Sequence, residues 1–110
     1  MPTVYKILGQ SNPNANTLTN IYTVPQSNSS VVSTVSFCNS NTTSNAYVTM
    51  YAVKSGEQPS VSNMITNSAI LPLADTLIFT IGMTLASNDR IIANVTTGNI
   101  SCSVFGTESY

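Results

Sequence analysis

Few side chains in this sequence are suited to catalysis. It contains no His, the side chain that most often serves as a general base or a metal ligand. Asp75 and Asp89 are the nearest approach to a pair of catalytic carboxylates. Each stands beside small polar residues at the start of a predicted strand, where Asp ordinarily stabilises a turn. We therefore interpret both as turn residues and predict that the protein is not an enzyme.

The two cysteines, Cys38 and Cys102, could act as nucleophiles or pair with each other on neighbouring strands. A nucleophilic Cys needs an adjacent base or cation to become a thiolate, and neither has one in the surrounding sequence. No signal-peptide pattern opens the chain, and cysteines of proteins that are not secreted are usually reduced and buried. We therefore predict two free thiols, with a Cys38–Cys102 bridge as the alternative.

The sequence also has few residues that could bind a metal ion or a cofactor. A hard cation such as Ca²⁺ needs about six oxygen ligands, several of them from carboxylates. The four acidic residues are scattered along the chain, at Glu57, Asp75, Asp89 and Glu108. No glycine-rich phosphate loop is present. We predict no metal, no cofactor and no small-molecule substrate.

The charge of the chain is unusually low. Charged residues make up 6% of the 110 residues, against roughly 25% in ordinary globular domains, and the net charge is −1. With no basic cluster, binding to nucleic acid or to an anionic membrane is not expected, and no apolar run is long enough for a membrane helix. Ser, Thr and Asn supply 44 residues instead. Because a nearly neutral surface lacks self-repulsion, we expect self-association or docking to a partner.

The pattern of apolar residues predicts strands throughout. Alternating and β-branched runs bounded by turn residues recur at short intervals, with no helical period. The predicted strands cover residues 3–8, 17–24, 30–39, 46–53, 68–73, 76–81, 89–96 and 100–105. Short turns suggest two β-hairpins, one joining residues 17–24 to 30–39 through Val24-Pro25 and one joining 89–96 to 100–105.

Eight such strands predict an all-β fold, a single antiparallel β-sandwich domain over residues 1–110 that is jelly-roll-like. An immunoglobulin-like sandwich is the alternative, disfavoured because the chain contains no Trp.

The longest predicted connection, residues 54–67, is a candidate contact segment. Connections of this length are often functional in compact domains. The segment and the strand after it carry apolar side chains amid Ser and Asn. We predict that a protein partner is contacted through Met64, Ile65, Ile70 and Leu71. The alternative is that these residues pack into the sandwich itself.

Several stretches resemble small structural proteins of tailed bacteriophages, cyanophages among them. The stretches are Lys6-Ile-Leu-Gly-Gln-Ser11, Thr17-Leu-Thr19, Tyr22-Thr-Val-Pro25, Val31-Val-Ser-Thr34, residues 77–89 and Val104-Phe-Gly-Thr-Glu108. The resemblance implies a non-enzymatic virion protein that is assembled in the host cytoplasm. Such groups include β-sandwich capsid cement proteins and small tail or fibre components, and they offer no catalytic or ligand residues to compare.

Two functions are therefore expected. The first is a capsid cement or decoration protein that binds and stabilises the shell of the major capsid protein, located on the capsid surface. It would be a homo-oligomer, with a trimer favoured. The second is a small tail or fibre module that binds carbohydrate on the host surface. Carbohydrate sites usually present aromatic platforms with charged partners, and this chain has no Trp and few charges, which favours the first.

Overall fold

Two antiparallel sheets make up the protein. The computed structural model describes residues 2–110. Within them, sheet A has the order β1–β9–β3–β6 with β7 also paired to β3, and sheet B has the order β2–β8–β4–β5. The strands are β1 (Thr3–Ser11), β2 (Thr19–Thr23), β3 (Ser29–Asn39), β4 (Ala46–Val53), β5 (Met64–Leu71), β6 (Thr76–Phe79), β7 (Met83–Leu85), β8 (Arg90–Val95) and β9 (Ile100–Ser109).

The path of the chain is that of a jelly roll. Strands β6 and β7 pair with opposite ends of β3, so they form one edge strand that is interrupted at residues 80–82. Each sheet then has four strand positions, and within the described residues only the β4–β5 and β6–β7 connections stay inside one sheet. All other connections cross from one sheet to the other. This wrapping of eight positions around one core is the jelly-roll arrangement, and it confirms the predicted fold.

Both predicted hairpins are wrong. Strand β2 pairs with β8 in sheet B, whereas β3 lies in sheet A. In the same way β8 pairs with β2 and β4, whereas β9 pairs with β1 and β3. The short turns are therefore corners at which the chain changes sheet. The two strands of each supposed hairpin lie in different sheets and do not form a ladder with each other.

The core lies between the sheets and is formed by the inward positions of the strands. Proline follows shortly after β2 and directly after β5, where it cannot continue a ladder. Phe37 and Phe79 meet edge to face, with their ring centroids 6.1 Å apart. The largest fully buried side chains are Phe37, Met50, Leu71, Ile91, Ile100, Val24, Val32, Val35, Val48, Val53, Val95 and Val104.

Gly106 is required by close packing. At Gly106, on β9, a Cβ atom would overlap the carbonyl oxygen of Val31 on β3. The neighbouring strand is bulged just beyond this point, between Val32 and Thr34. The two backbones approach so closely there that no larger residue fits.

The connection between β4 and β5 is shorter than predicted. It ends with a single turn of 3-10 helix at Val61–Asn63, and β5 begins at Met64 instead of at residue 68. Irregular pairing hides this strand from pattern analysis, because Ser68 has a positive φ of 53° and the β4–β5 register shifts on both sides of Met50. The predicted bridge over residues 82–88 likewise contains β7.

Candidate interaction surface

The outward side of sheet A is entirely uncharged. Inward positions of β9 and β3 pair with each other, as Val104 does with Val35, and the residues between them point outward. We call these outward residues face A. They are Thr3, Tyr5, Ile7 and Gln10 of β1, Ser101, Ser103, Phe105, Thr107 and Ser109 of β9, Ser29, Val31, Thr34, Ser36 and Cys38 of β3, Thr76 and Ile78 of β6, and Thr84 of β7.

Face A carries large apolar side chains in the open. Tyr5 is 85% exposed, Ile7 52% and Val31 47%. The register aligns Tyr5 with Val31 across β9, and Ile7 lies next to the half-buried Phe105. Ile78, at the far edge of the sheet, is 57% exposed. The solvent-facing side of an antiparallel sheet normally carries polar residues. Large apolar side chains on such a face therefore mark a surface suited to binding another protein.

The outward side of sheet B is different. Its residues Val53 and Ile92 are buried although they do not belong to the central core cluster. Beside them the Arg90 guanidinium donates a hydrogen bond to the carbonyl oxygen of Glu57, in the β4–β5 connection. The chain itself therefore lies against part of this face. Charges also lie here, which they do not on face A.

The structure separates the four predicted contact residues. Leu71 is 0% exposed and packs in the core, so it cannot reach a partner, and the alternative interpretation holds for it. Met64 and Ile65 lie together at an open cavity of about 470 Å³, lined also by Ala52, Lys54, Glu57, Ser62 and Asn63. Ile70, 52% exposed, is instead paired with Tyr47, which is 44% exposed. The contact prediction therefore stays open for Met64, Ile65 and Ile70.

A polar network is buried at one end of sheet A. The carboxylate of Glu108 is almost inaccessible, with its side chain 4% exposed. Its Oε1 lies 2.9 Å from Lys6 Nζ, and its Oε2 accepts a hydrogen bond of 2.6 Å from the Tyr22 hydroxyl. The Tyr22 hydroxyl has a single proton, which it donates to Glu108. The Ser30 hydroxyl, 2.6 Å away, therefore donates its hydrogen bond to the Tyr22 oxygen. The network ties β1, β9 and β3 to β2 of the other sheet.

The ionisation of these groups follows from their contacts. Burial alone would raise the pKa of Glu108, but the hydrogen bonds from Tyr22 and Lys6 and the charge of Lys6 outweigh it and hold that pKa below its usual range. The hydrogen bond to Glu108 and its charge raise the pKa of Lys6. Burial and the hydrogen bond to Glu108 raise the pKa of Tyr22 far above its ordinary value. Glu108 and Lys6 are therefore both charged at neutral pH, which suits a structural role.

Sequence analysis missed this network. Lys6 and Glu108 belong to the first and last strands, and nothing in their local sequences indicates that they meet. Lys6 is the single charged residue of its predicted strand, but Glu108 lies beyond the last predicted strand, 100–105, so no local signal linked the two. The pairing became visible only with the β1–β9 register, which places both on inward positions.

Asp75 and Asp89 stabilise turns, as predicted. Asp89 accepts hydrogen bonds from the backbone N–H of Ser55 at 3.0 Å and of Ala86 at 2.8 Å. Asp75 accepts one from the backbone N–H of Thr76 at 2.7 Å. Within residues 2–110 no group of three or more His, Cys, Asp or Glu side chains is gathered as metal ligands would be. The same residues contain no helix long and apolar enough to cross a membrane.

The two cysteines are free and lie on opposite sides of sheet A. Cys38 is exposed on face A, whereas Cys102 is buried in the core beside Phe37. Side chains on opposite faces of a sheet cannot be bridged without moving the backbone. Burial raises the pKa of the Cys102 thiol to about 12, so it stays protonated and behaves as an apolar residue.

Comparisons with known proteins do not identify a family for this chain. No family model matches the chain, and no curated protein does either. The chain is similar to a chain in the structure of infectious bursal disease virus, Gx strain, with a TM-score of 0.45 and 10% sequence identity. The similarity covers 97% of this chain and 30% of that one, so the protein spans under a third of its neighbour's length. At this identity and TM-score, the similarity supports no conclusion about function.

Proposed function

We propose that this protein is a non-enzymatic structural protein of a virion, a capsid cement or decoration protein that binds the shell of the major capsid protein and stabilises it. It would act as a homo-oligomer on the capsid surface of a tailed phage.

One observation carries the proposal: large apolar side chains are exposed on both outer sides of a nearly uncharged sandwich. Tyr5, Ile7 and Val31 stand on face A, and Tyr47 and Ile70 form a pair on the outer side of sheet B. A protein that ties subunits together needs at least two such binding surfaces. Apolar contacts also survive changes of salt that would screen charged ones.

The rest of the molecule supports a static role. Two sheets share one core, most edges are interrupted or end at proline, and the charged network of Lys6, Tyr22 and Glu108 holds the outermost strand β1 to the core. Short Ser and Thr side chains dominate face A, and they lose little conformational entropy when a partner covers them.

The test is to count the protein in purified particles. Quantitative mass spectrometry of virions of the phage that encodes this chain should find hundreds of copies per particle, scaling with the major capsid protein. Particles that lack the protein should lose their genome at a lower temperature. Absence from purified virions would overturn the proposal, and a handful of copies would transfer the protein to the tail.

A carbohydrate-binding tail or fibre module is the second candidate, favoured by one observation. The ring of Tyr5 is 85% exposed on a flat sheet face, as a sugar-stacking residue would be. Screening the purified protein against an array of bacterial surface glycans separates the two. Binding that Tyr5→Ala abolishes would support the tail module, and the absence of any glycan signal would leave the cement role.

A further inference from the structure

We propose that face A is the interface between two copies of this chain, packed sheet against sheet across a two-fold axis. The inference deepens the proposed self-association and rests on the proposed function only for its biological setting.

Charge selects a second copy as the occupant. Face A presents seventeen outward residues, defined above, without a single charged side chain. Any partner that brought charges against it would have to strip them of water with nothing of opposite charge to receive them. A second copy brings the same uncharged surface, in which exposed Tyr5, Ile7 and Val31 gain apolar contacts while Ser and Thr hydroxyls can bond with each other.

The area is adequate for such a pair. Four strand positions spaced about 4.8 Å apart and about ten residues of about 3.3 Å rise give face A a footprint of roughly 600 Å². That is about a tenth of the total accessible surface of 5741 Å², the share that a small protein contributes to a standard interface. Two facing copies would bury roughly 1,200 Å², at the lower end of specific interfaces, so we expect a dissociation constant on the order of micromolar.

The face is a better candidate than the edge of the sheet. Sheet A has two edges, β1 and the β6–β7 edge that is interrupted at residues 80–82, and a second copy could in principle add a strand at either. However, β1 is bulged between Ile7 and Gly9, and the inward-pointing Lys6 lies in the middle of the strand. A bulge and an inward charge are the features by which edge strands avoid pairing with other chains. Face A has neither obstacle.

The symmetry follows from the use of one patch. When the same surface is buried on both partners, the contact is isologous and closes at two copies. A trimer requires two different complementary patches on each chain. Sheet A offers one continuous face, so the geometry points to a dimer, not to the trimer favoured for a cement protein in the sequence analysis.

The test compares two matched substitutions by sedimentation velocity over a range of concentrations. Ile7 on face A and Ile70 on sheet B are both 52% exposed, so Lys at either position has similar consequences for the monomer. We expect a dimer for the unmodified protein. In Ile7→Lys a charge would be buried in the interface with no opposite charge to receive it, and the dissociation constant should rise more than about 100-fold. Ile70→Lys should leave it within about threefold.

A second readout covers the case in which Ile7→Lys does not fold. Thr107→Lys, on the central strand β9, places the charge in the middle of face A. Cys38 gives a further signal without any substitution, because it is exposed on face A and Cys102 is buried. Its reaction rate with a bulky maleimide should fall in proportion to the monomer fraction as the concentration rises.

The possible results divide cleanly. A monomer at about 100 µM, far above the expected dissociation constant, would overturn the inference, as would a trimer. So would a dimer disrupted by Ile70→Lys and not by Ile7→Lys or Thr107→Lys. These outcomes are independent of the virion count: a monomer present in hundreds of copies per particle would refute the dimer and leave the cement role, and a face A dimer absent from virions would do the reverse.

Discussion

Replacing Tyr22 by Phe tests the buried network with the smallest possible change. The substitution removes one oxygen and keeps the ring, which is 7% exposed in the core. It deletes the 2.6 Å hydrogen bond to Glu108 and the 2.6 Å contact with Ser30. A hydrogen bond to a charged group contributes about 1.5–3 kcal/mol, and the Ser30 hydroxyl loses its acceptor as well. We expect a loss of about 2–3 kcal/mol in the free energy of unfolding at neutral pH.

The loss should depend on pH in a defined direction. Because the folded protein holds the pKa of Glu108 below its usual range, the ionised carboxylate adds stability above that range, and this stability disappears as the pH falls through the folded-state pKa. Without the Tyr22 hydroxyl, burial is opposed by Lys6 alone, and the pKa of Glu108 rises. The difference in stability between Tyr22→Phe and the unmodified protein should therefore be smaller at about pH 3 than at about pH 7.

The assay is urea unfolding followed by circular dichroism at both pH values, with thermal melting as a second measure. For a domain of this length the expected loss corresponds to roughly 10 °C in Tm. The control is Tyr47→Phe, whose side chain is 44% exposed, with an expected change within about 0.5 kcal/mol. A Tyr22→Phe effect no larger than that of the control, or one that is equal at the two pH values, would refute the role assigned to the network.

Three further predictions concern packing and thiols. Gly106→Ala should destabilise the protein by about 3 kcal/mol or more in urea unfolding, because no Cβ fits there, whereas Gly98→Ala, with open space around it, should change stability by less than about 1 kcal/mol; equal effects would contradict the close approach. Phe37→Ala should cost about 3–5 kcal/mol, measured in the same way, since the side chain is fully buried; a loss below about 1 kcal/mol would contradict its place in the core. Thiol titration of the native protein should find only Cys38 reactive, and unfolding should add Cys102; two reactive thiols before unfolding would contradict the burial of Cys102.

The inward and outward sides of the strands could be predicted from the sequence, but their pairing could not. Ile91, Ala93 and Val95 alternate along one predicted strand and Ile100, Cys102 and Val104 along the next, and all six are buried. Alternation reports which side of a sheet a residue takes and nothing about which strand it bonds to. A short turn therefore looks the same whether it closes a hairpin or, as here, carries the chain from one sheet to the other.

The candidate surface was predictable only in part. Low charge indicated a docking protein, but residues of face A come from five strands far apart in the chain, so no single stretch marks it. The contact prediction included both Ile70 and Leu71 of the strand after the segment, although neighbouring strand residues point to opposite faces; Ile70 is exposed and Leu71 is a core residue. Asn39 was similarly overlooked: it lies in a polar run, yet its buried amide donates to the carbonyl oxygens of Ser44 and Leu71.

The position of β9 has a consequence for how the protein acquires its structure. Strand β9 lies between β1 and β3, so Ser109 is paired with both Thr3 and Ser29. Contacts between such distant parts of a chain form slowly, because the entropy of closing the loop is lost before the contact repays it. Until β9 has been synthesised, the backbone groups of β1 and β3 that pair with it remain unpaired, and strands of other chains could bind them. We therefore expect folding to start only once β9 has been made, and chains cut short before Ile100 to aggregate.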